Sequence, residues 1–447
     1  MTADLPYHML LPSAHAVLPA GFSRDPFSDS ILDTDAAELA VPATCPFIAT
    51  DPAFLEVLGP KPVVRVLASG VPGFAHEAGV YVPSTSGGEV WFTSNLITTE
   101  YGDDRAASVA SPQLKARVNV QTVDLTTGIV RAVPTAIRTG NGACPYGSKL
   151  LFCDQGDDFT PSALTILDPV THAVTPILNN FHGRQFNSLN DVIVLPPPPA
   201  AAQDLNGRAP ATGPTVWFTD PTYGHEQQFR PVPQLPPQVY MFDPKSGAVR
   251  VVADGFDHPN GICFSPDNGT CYVTDTGHIH GSGRLDATRP STVYAFDVVW
   301  RAGAPSLHNR RVFAMADCGV PDGIKCDTFG NVYSGCGDGI HVWNTAGQLI
   351  GKIVLGRADN NPGAGCANFC FVPGGKIVAF AEDRIYIVEG LAVDGTSVAG
   401  IPMGEADCNK PVALSARVSE YLSVAMDRRS GQRMSSELHC NGFEASS

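Results

Sequence analysis

The chain has 447 residues, long enough for two or three average domains or one large repeat fold. It carries 44 Gly and 38 Pro, only 16% of its residues are charged, and its formal net charge is -15. That profile suits many short strands joined by turns rather than long helices, and the acidic balance argues against a phosphate backbone as partner.

The first 53 residues are Pro- and Ala-rich and are expected to wrap the outside of the fold. The opening MTADLPYHMLLPSAHAVLPAG has no basic start followed by a long apolar core, so no secretory signal is read and a cytoplasmic location is expected. No apolar run approaches the roughly 20 residues that cross a bilayer, so no membrane partner is expected. The 12 cysteines form no CxxC pair and many lie in apolar, strand-like runs. Buried free thiols are the default for that pattern, with Cys263–Cys271 and Cys366–Cys370 as the alternatives that could bridge.

From residue 54 onwards the chain repeats itself. Two apolar runs flanking a polar turn recur as GVYVPSTSGGEVWFTSN (79–95), GACPYGSKLLFCDQG (142–156), GICFSPDNGTCYVTDTG (261–277), GIKCDTFGNVYSGCGDG (323–339) and FCFVPGGKIVAFAED (369–383). A sixth, 191–224, carries a Pro/Ala-rich insert at its turn. Each hairpin is followed by a second strand pair, such as VQTVDLTTGIVRAV or QVYMFDPKSGAVRVV, in which an Asp or Asn opens the turn. Four strands per unit and six units spaced by about 46–66 residues predict a six-bladed, all-β propeller over 54–390. VVRVLAS (63–69) is expected to complete the last blade and close the ring.

An isolated Asn-Gly such as Asn260-Gly261 reads as a turn. Here the position just before each first strand holds Glu77, Asn141, Asn190, Asn260, Asp322 and Asn368 in turn. Every unit offers a side-chain oxygen at one register, and turn preference does not explain Glu77, nor Asn190 and Asn368, which no Gly follows. In a propeller that register lies at the mouth of the central channel. Two carboxylates with amides and no cysteine are hard oxygen donors. They suit Ca²⁺, with Mg²⁺, Mn²⁺ or Zn²⁺ as alternatives. Such an ion could be catalytic, or could simply plug the channel. The first strand leaves the ring and the second returns, so Asp154, Gln155, Asp220, Tyr223, Asp275, His278 and Glu382 are expected at the rim, most of them as turn residues. His76 and His258 flank ring positions. No Gly-rich phosphate loop or GxSxG elbow is present.

FNSLNDV, HPNGICFSPDNGTCYVTDTG and VPDGIKCDTFGNVYSG resemble the motifs of the gluconolactonase, senescence-marker-protein and luciferin-regenerating-enzyme family. FHGRQFNSLNDVIVL and VWFTDPTYG are similar to its fungal-type lactonohydrolase branch. The resemblance implies metal ligation by Glu77, Asn260 and Asp322, with Asn190 as a further ligand or a substrate contact. It also implies that Asp322 is the general base and that Asp220 is a substrate-binding acid; Asn141 and Tyr223 complete the expected substrate contacts. One departure is Ser188, where some members carry an Arg; Arg184 stands close by in sequence. The implied reaction is hydrolysis of a sugar-type or small aliphatic lactone by a monomer or homodimer. An isomerase or cyclase on the same site, and a non-catalytic interaction platform, are the rival readings. Residues 391–447 are expected to form an extension ending in a mobile tail, with a helix within KPVALSARVSEYLSVAMDRR.

Overall fold

The second strands show why these residues fold as they do. Thr215–Asp220, Val332–Cys336 and Lys376–Ala381 are buried along almost their whole length, without polar alternation. A strand covered on both faces needs exactly that kind of continuous apolar run, because neighbouring sheets stack on each side of it. In the computed structural model, which describes residues 7–10, 17, 21, 23–25, 27, 30, 45–84, 87–100, 114–197, 213–301, 303–359 and 365–396, six four-stranded antiparallel sheets meet this need.

Blade 1 is built from Glu77–Val82, Glu89–Thr93, Val120–Asp124 and Val130–Ala132, and blade 2 from Gly140–Tyr146, Lys149–Asp154, Ala163–Leu167 and Val174–Leu178. Blade 3 is Val192–Leu195, Thr215–Asp220, Gln238–Asp243 and Ala248–Ala253. Blade 4 is Pro259–Phe264, Thr270–Asp275, Thr292–Arg301 and Ala304–Met315. Blade 5 is Ile324–Cys326, Val332–Cys336, Gly339–Trp343 and Leu349–Val354. Blade 6 runs Asn368–Val372, Lys376–Ala381, Arg384–Leu391 and then Leu58–Ser69, drawn from the start of the chain. Val64 faces Val388 and Val66 faces Tyr386 across that last pairing, so the ring closes as the sequence predicts.

The core lies between blades. Phe369, Phe371, Ile377 and Tyr386 of blade 6 pack with Tyr333, Ile340 and Ile353 of blade 5, all of them under 2% exposed. Each such side chain contributes about 1.5–3 kcal/mol on burial. Trp91, Trp217 and Trp343 are equally buried in blades 1, 3 and 5.

The amino-terminal segment adds two short strands to blade 5. Phe47–Ala49 pairs antiparallel with Leu349–Val354, and Tyr7–Met9 pairs parallel with Phe47–Ala49. This covers an edge that would otherwise present unpaired backbone groups. Two further hairpins, Ile97–Glu100 with Leu114–Arg117 and Asn180–Phe181 with Arg184–Gln185, are not legible as blade strands. At the other end Asp394 accepts the Gly374 and Gly375 amides, which ties residues 392–396 to the propeller. The helix expected near residues 410–429, and the tail, lie outside the described residues. All ten described cysteines are free and nine are buried, so neither candidate disulfide forms. Among the described residues no helix is long and apolar enough to cross a membrane.

Candidate metal centre and its rim

The six ring positions occupy the same place in each blade, at the start of the inner strand. In three blades the strand is bulged there: between Ala78 and Val80, Gly140 and Ala143, and Pro259 and Ile262. A bulge re-aims a side chain out of the ladder. The glycines after ring residues are not left-handed turn residues at Gly142, Gly261 and Gly323. A Cβ on Gly142 would lie 2.6 Å from the Asn190 carbonyl oxygen. One on Gly261 would lie 2.4 Å from that of Asp322, and one on Gly323 2.3 Å from Asn368 Oδ1. Asn-Gly and Asp-Gly here mark the contact of one inner strand with the next.

Hydrogen bonds tie the ring from blade to blade. The Gly142 amide donates to the Asn190 carbonyl (2.7 Å), and Thr219 Oγ1 to that of Asn260 (2.6 Å). Thr274 Oγ1 donates to the Asp322 carbonyl (2.9 Å), and Asn368 Nδ2 to Glu77 Oε2 (2.8 Å). Thr219 and Thr274 went unnoticed in the sequence, although a Thr-Asp pair ends both second strands and could have flagged them.

Asn141 Oδ1, Asn190 Oδ1 and Asp322 Oδ1 are buried and have no hydrogen-bond partner. An acceptor removed from water without a donor costs about 1–3 kcal/mol, so three at one register need an explanation. Glu77 is 3% exposed. Burial pushes its carboxyl up, against the pull of His76 and Asn368. Burial and the nearby Glu77 carboxylate push Asp322 well above the usual range. Two acids held near one another under burial, beside orphaned oxygens, match a hard divalent cation. Glu77, Asn190, Asn260 and Asp322 could hold it; Asn260 Nδ2 reaches Thr276 Oγ1 (3.5 Å), leaving its own oxygen uncommitted. Among the described residues no three His, Cys, Asp or Glu side chains form a metal-binding group.

Blade 6 breaks the expected pattern. Asn368 Oδ1 accepts from the Phe369 amide (2.8 Å) and from Lys325 Nζ (3.4 Å), so this amide braces Glu77 and is not free to be a ligand. Asp191, next to Asn190, accepts the Ile262 amide (3.2 Å) and lies 3.9 Å from Lys325 Nζ. Neither Asp191 nor Lys325 was singled out from the sequence, where a lone Lys in a short strand carries no signal.

Asp220 is the main correction. It is fully buried, and its carboxylate accepts the backbone amides of Asn187 (3.0 Å) and Ser188 (2.9 Å). Burial pushes this carboxyl up to about 7, opposed by those two amides and by Arg230. It clamps the turn that delivers Asn190 and does not face a guest. Asp275 holds the Asp257 and His258 amides ahead of Asn260, and Asp154 holds Thr139 ahead of Asn141. Three blades thus repeat one brace. Ser188 is also buried, bonded to Pro221 and Gly224. Arg184 is exposed in its hairpin, whereas Arg230, 2% exposed, donates to the Phe186 and Asn187 carbonyls. Tyr223 is half-buried, stacks on His258 (4.7 Å) and shares a hydrogen bond with Thr276 Oγ1. His258 bonds Glu226 (2.8 Å) on the wall of a 580 Å³ cleft that Thr222, Asp257, His280 and Arg289 also line. On the opposite side His76 is paired with Glu382, which also accepts from Asn95 (3.1 Å). Burial alone would lower the His76 imidazole; Glu382 overrides it and raises the group to about 9.

A family model described as the SMP-30/gluconolactonase/LRE-like region matches residues 116–377. The chain belongs to this family. Within it, lactonohydrolase oryL of Aspergillus oryzae is 32% identical over 321 residues, 66% of this chain and 64% of the relative. The chain thus spans somewhat less than two thirds of that protein's length. The gluconolactonase of Zymomonas mobilis is 27% identical over 239 residues, 50% of this chain and 54% of the relative. Among solved structures, a gluconolactonase from Xanthomonas campestris superposes with a TM-score of 0.55 at 24% identity, covering 77% of this chain and 94% of that one. This last likeness is one of fold, and it agrees with the propeller of the SMP-30/gluconolactonase/LRE-like family.

Proposed function

We infer that this protein is a lactonase that works with a divalent cation, calcium by the chemistry of its donors, and opens sugar-type or small aliphatic lactones to hydroxy acids. The observation that carries the reading is the set of buried, unpartnered oxygens on Asn141, Asn190 and Asp322 at the ring of a family propeller. Glu77, Asn190, Asn260 and Asp322 would hold the cation. When bound, a divalent ion supplies a Lewis acid that polarises the lactone carbonyl.

Asp322 acts as general base. Its carboxylate takes a proton from a water molecule, whose oxygen attacks the carbonyl carbon; as the tetrahedral adduct collapses the ring C–O bond breaks and the proton held by Asp322 passes to the leaving ring oxygen, giving the hydroxy acid. Asn141 Oδ1 accepts a hydroxyl of the substrate. Tyr223 walls the mouth, held by Thr276 and by its stack on His258.

The test is a panel of sugar and aliphatic lactones assayed after chelation and after add-back of single metals. Ring-opening activity that disappears with chelator and returns with calcium supports the reading. Activity indifferent to chelation, or a product of unchanged mass, defeats it.

A further inference from the structure

Lys325 is a cation that the proposed chemistry does not use. It lies on the inner strand of blade 5, three residues beyond Asp322, with its side chain 14% exposed. Its Nζ is 3.9 Å from Asp191 Oδ2 of blade 3 and 3.4 Å from Asn368 Oδ1 of blade 6, and 6.0 Å from the Phe369 ring. Blades 3 and 6 face one another across a six-bladed ring. A nitrogen within 4 Å of both therefore stands on the axis of the channel, just beneath the ring oxygens.

We propose that Lys325 is a built-in counter-cation that closes the channel beneath the ring and limits it to one divalent ion. The inference rests on the cation site proposed above. Charge balance gives it content. Glu77, Asp191 and Asp322 place three carboxylates within electrostatic reach of one another. Lys325 matches one of these charges and a divalent ion matches the other two. His76 and Glu382, at the rim, pair with each other. A buried site of that kind is neutral with one ion, and a second would leave an uncompensated charge in a poorly solvated channel. Without the ammonium, the Asp191 carboxylate keeps an unmatched negative charge beside the channel axis, where a second hard cation could replace the ammonium.

Calcium stoichiometry, measured by equilibrium dialysis with calcium chloride as the probe, decides the matter. The wild-type chain is expected to saturate at one ion and Lys325→Met at two, with the extra ion lost again in Lys325→Met/Asp191→Asn. Two ions in the wild type, or a folded Lys325→Met that still takes one, would overturn the proposal. Should Lys325→Met melt early, its melting temperature must rise with calcium more steeply than that of the wild type; an equal rise also overturns it. A wild-type chain that binds no divalent ion sinks the lactonase reading itself, which separates the two failures.

Discussion

Asp322 in the ring and Asp220 near it both have carboxylate oxygens removed from water, yet those oxygens meet opposite fates. Asp322 keeps Oδ1 unpartnered, whereas Asp220 gives its carboxylate to two backbone amides. Exchange to asparagine separates the roles. Asp322→Asn keeps the shape and loses the proposed base, so kcat should fall by about 10²–10⁴-fold with the melting temperature within a few degrees of wild type. Asp220→Asn turns an NH₂ toward a backbone N–H and should cost about 1–3 kcal/mol of stability. Below its melting point that variant should keep wild-type kcat per folded chain. A stable but inactive Asp220→Asn would return this residue to the substrate, and urea titration beside a lactone assay reads both outcomes. The ring was legible because six units repeat one register. The bracing role of Asp220 was not, because register places a residue at the rim without saying whether its oxygens face the mouth or the preceding turn.

At the scale of the element, blade 5 holds a buried ionic network that the hairpin pattern hides. Lys352, wholly buried, is paired with Asp317 and donates to Asp338 (2.9 Å), and Asp338 also accepts from His341 Nε2 (2.7 Å). The amino-terminal segment joins it, with Arg24 bonded to Asp317 (2.8 Å) and Lys352 to Ser30 (3.0 Å). Burial would raise Asp338, but Lys352 and His341 beside it drive it far below the carboxylate range. Lys352→Met leaves the Asp338 charge without its ammonium and should cost about 3–5 kcal/mol, read from urea midpoints. The pH dependence has a definite sign. Burial and Lys352 lower the His341 imidazole beneath its ordinary 6.5, so the folded chain stays neutral there while the unfolded chain takes a proton. Its contribution is present above 6.5 and is lost as pH falls. Stability should therefore drop as pH falls below about 6.5, and less so in His341→Gln. An equal slope in both chains would clear His341. Apart from Asp338 and His341, three residues apart, these partners could not be paired from sequence, since Arg24, Ser30, Asp317 and Lys352 come from separate parts of the chain.

For the molecule as a whole, closure of the ring and assembly of the site are one event. Leu58–Ser69 must return across more than 300 residues to pair with Arg384–Leu391, and only then do blades 6 and 1 become neighbours. The chain-entropy cost of that closure grows slowly with loop length, so the long return is affordable once the seam is packed. The seam is packed by Phe92 of blade 1 stacked on Phe380 of blade 6 (5.4 Å), and at its inner end it is the Asn368–Glu77 hydrogen bond. A cation held by Glu77, as proposed, would thus lie on the joint where the ring would open. Binding only to the closed form stabilises it by RT ln(1 + [L]/Kd), about 2.7 kcal/mol at 100-fold Kd. Calcium at that excess should therefore slow amide exchange in Leu58–Ser69 and Arg384–Leu391, far from the ring at the outer strands of blade 6, by up to about 100-fold. Phe380→Ala weakens the seam, so in that variant the same excess of calcium should protect those strands at a lower denaturant concentration than in wild type. Exchange protected at the inner strands alone would mean that the joint opens independently of the site, and that the ring holds its cation without being held closed by it.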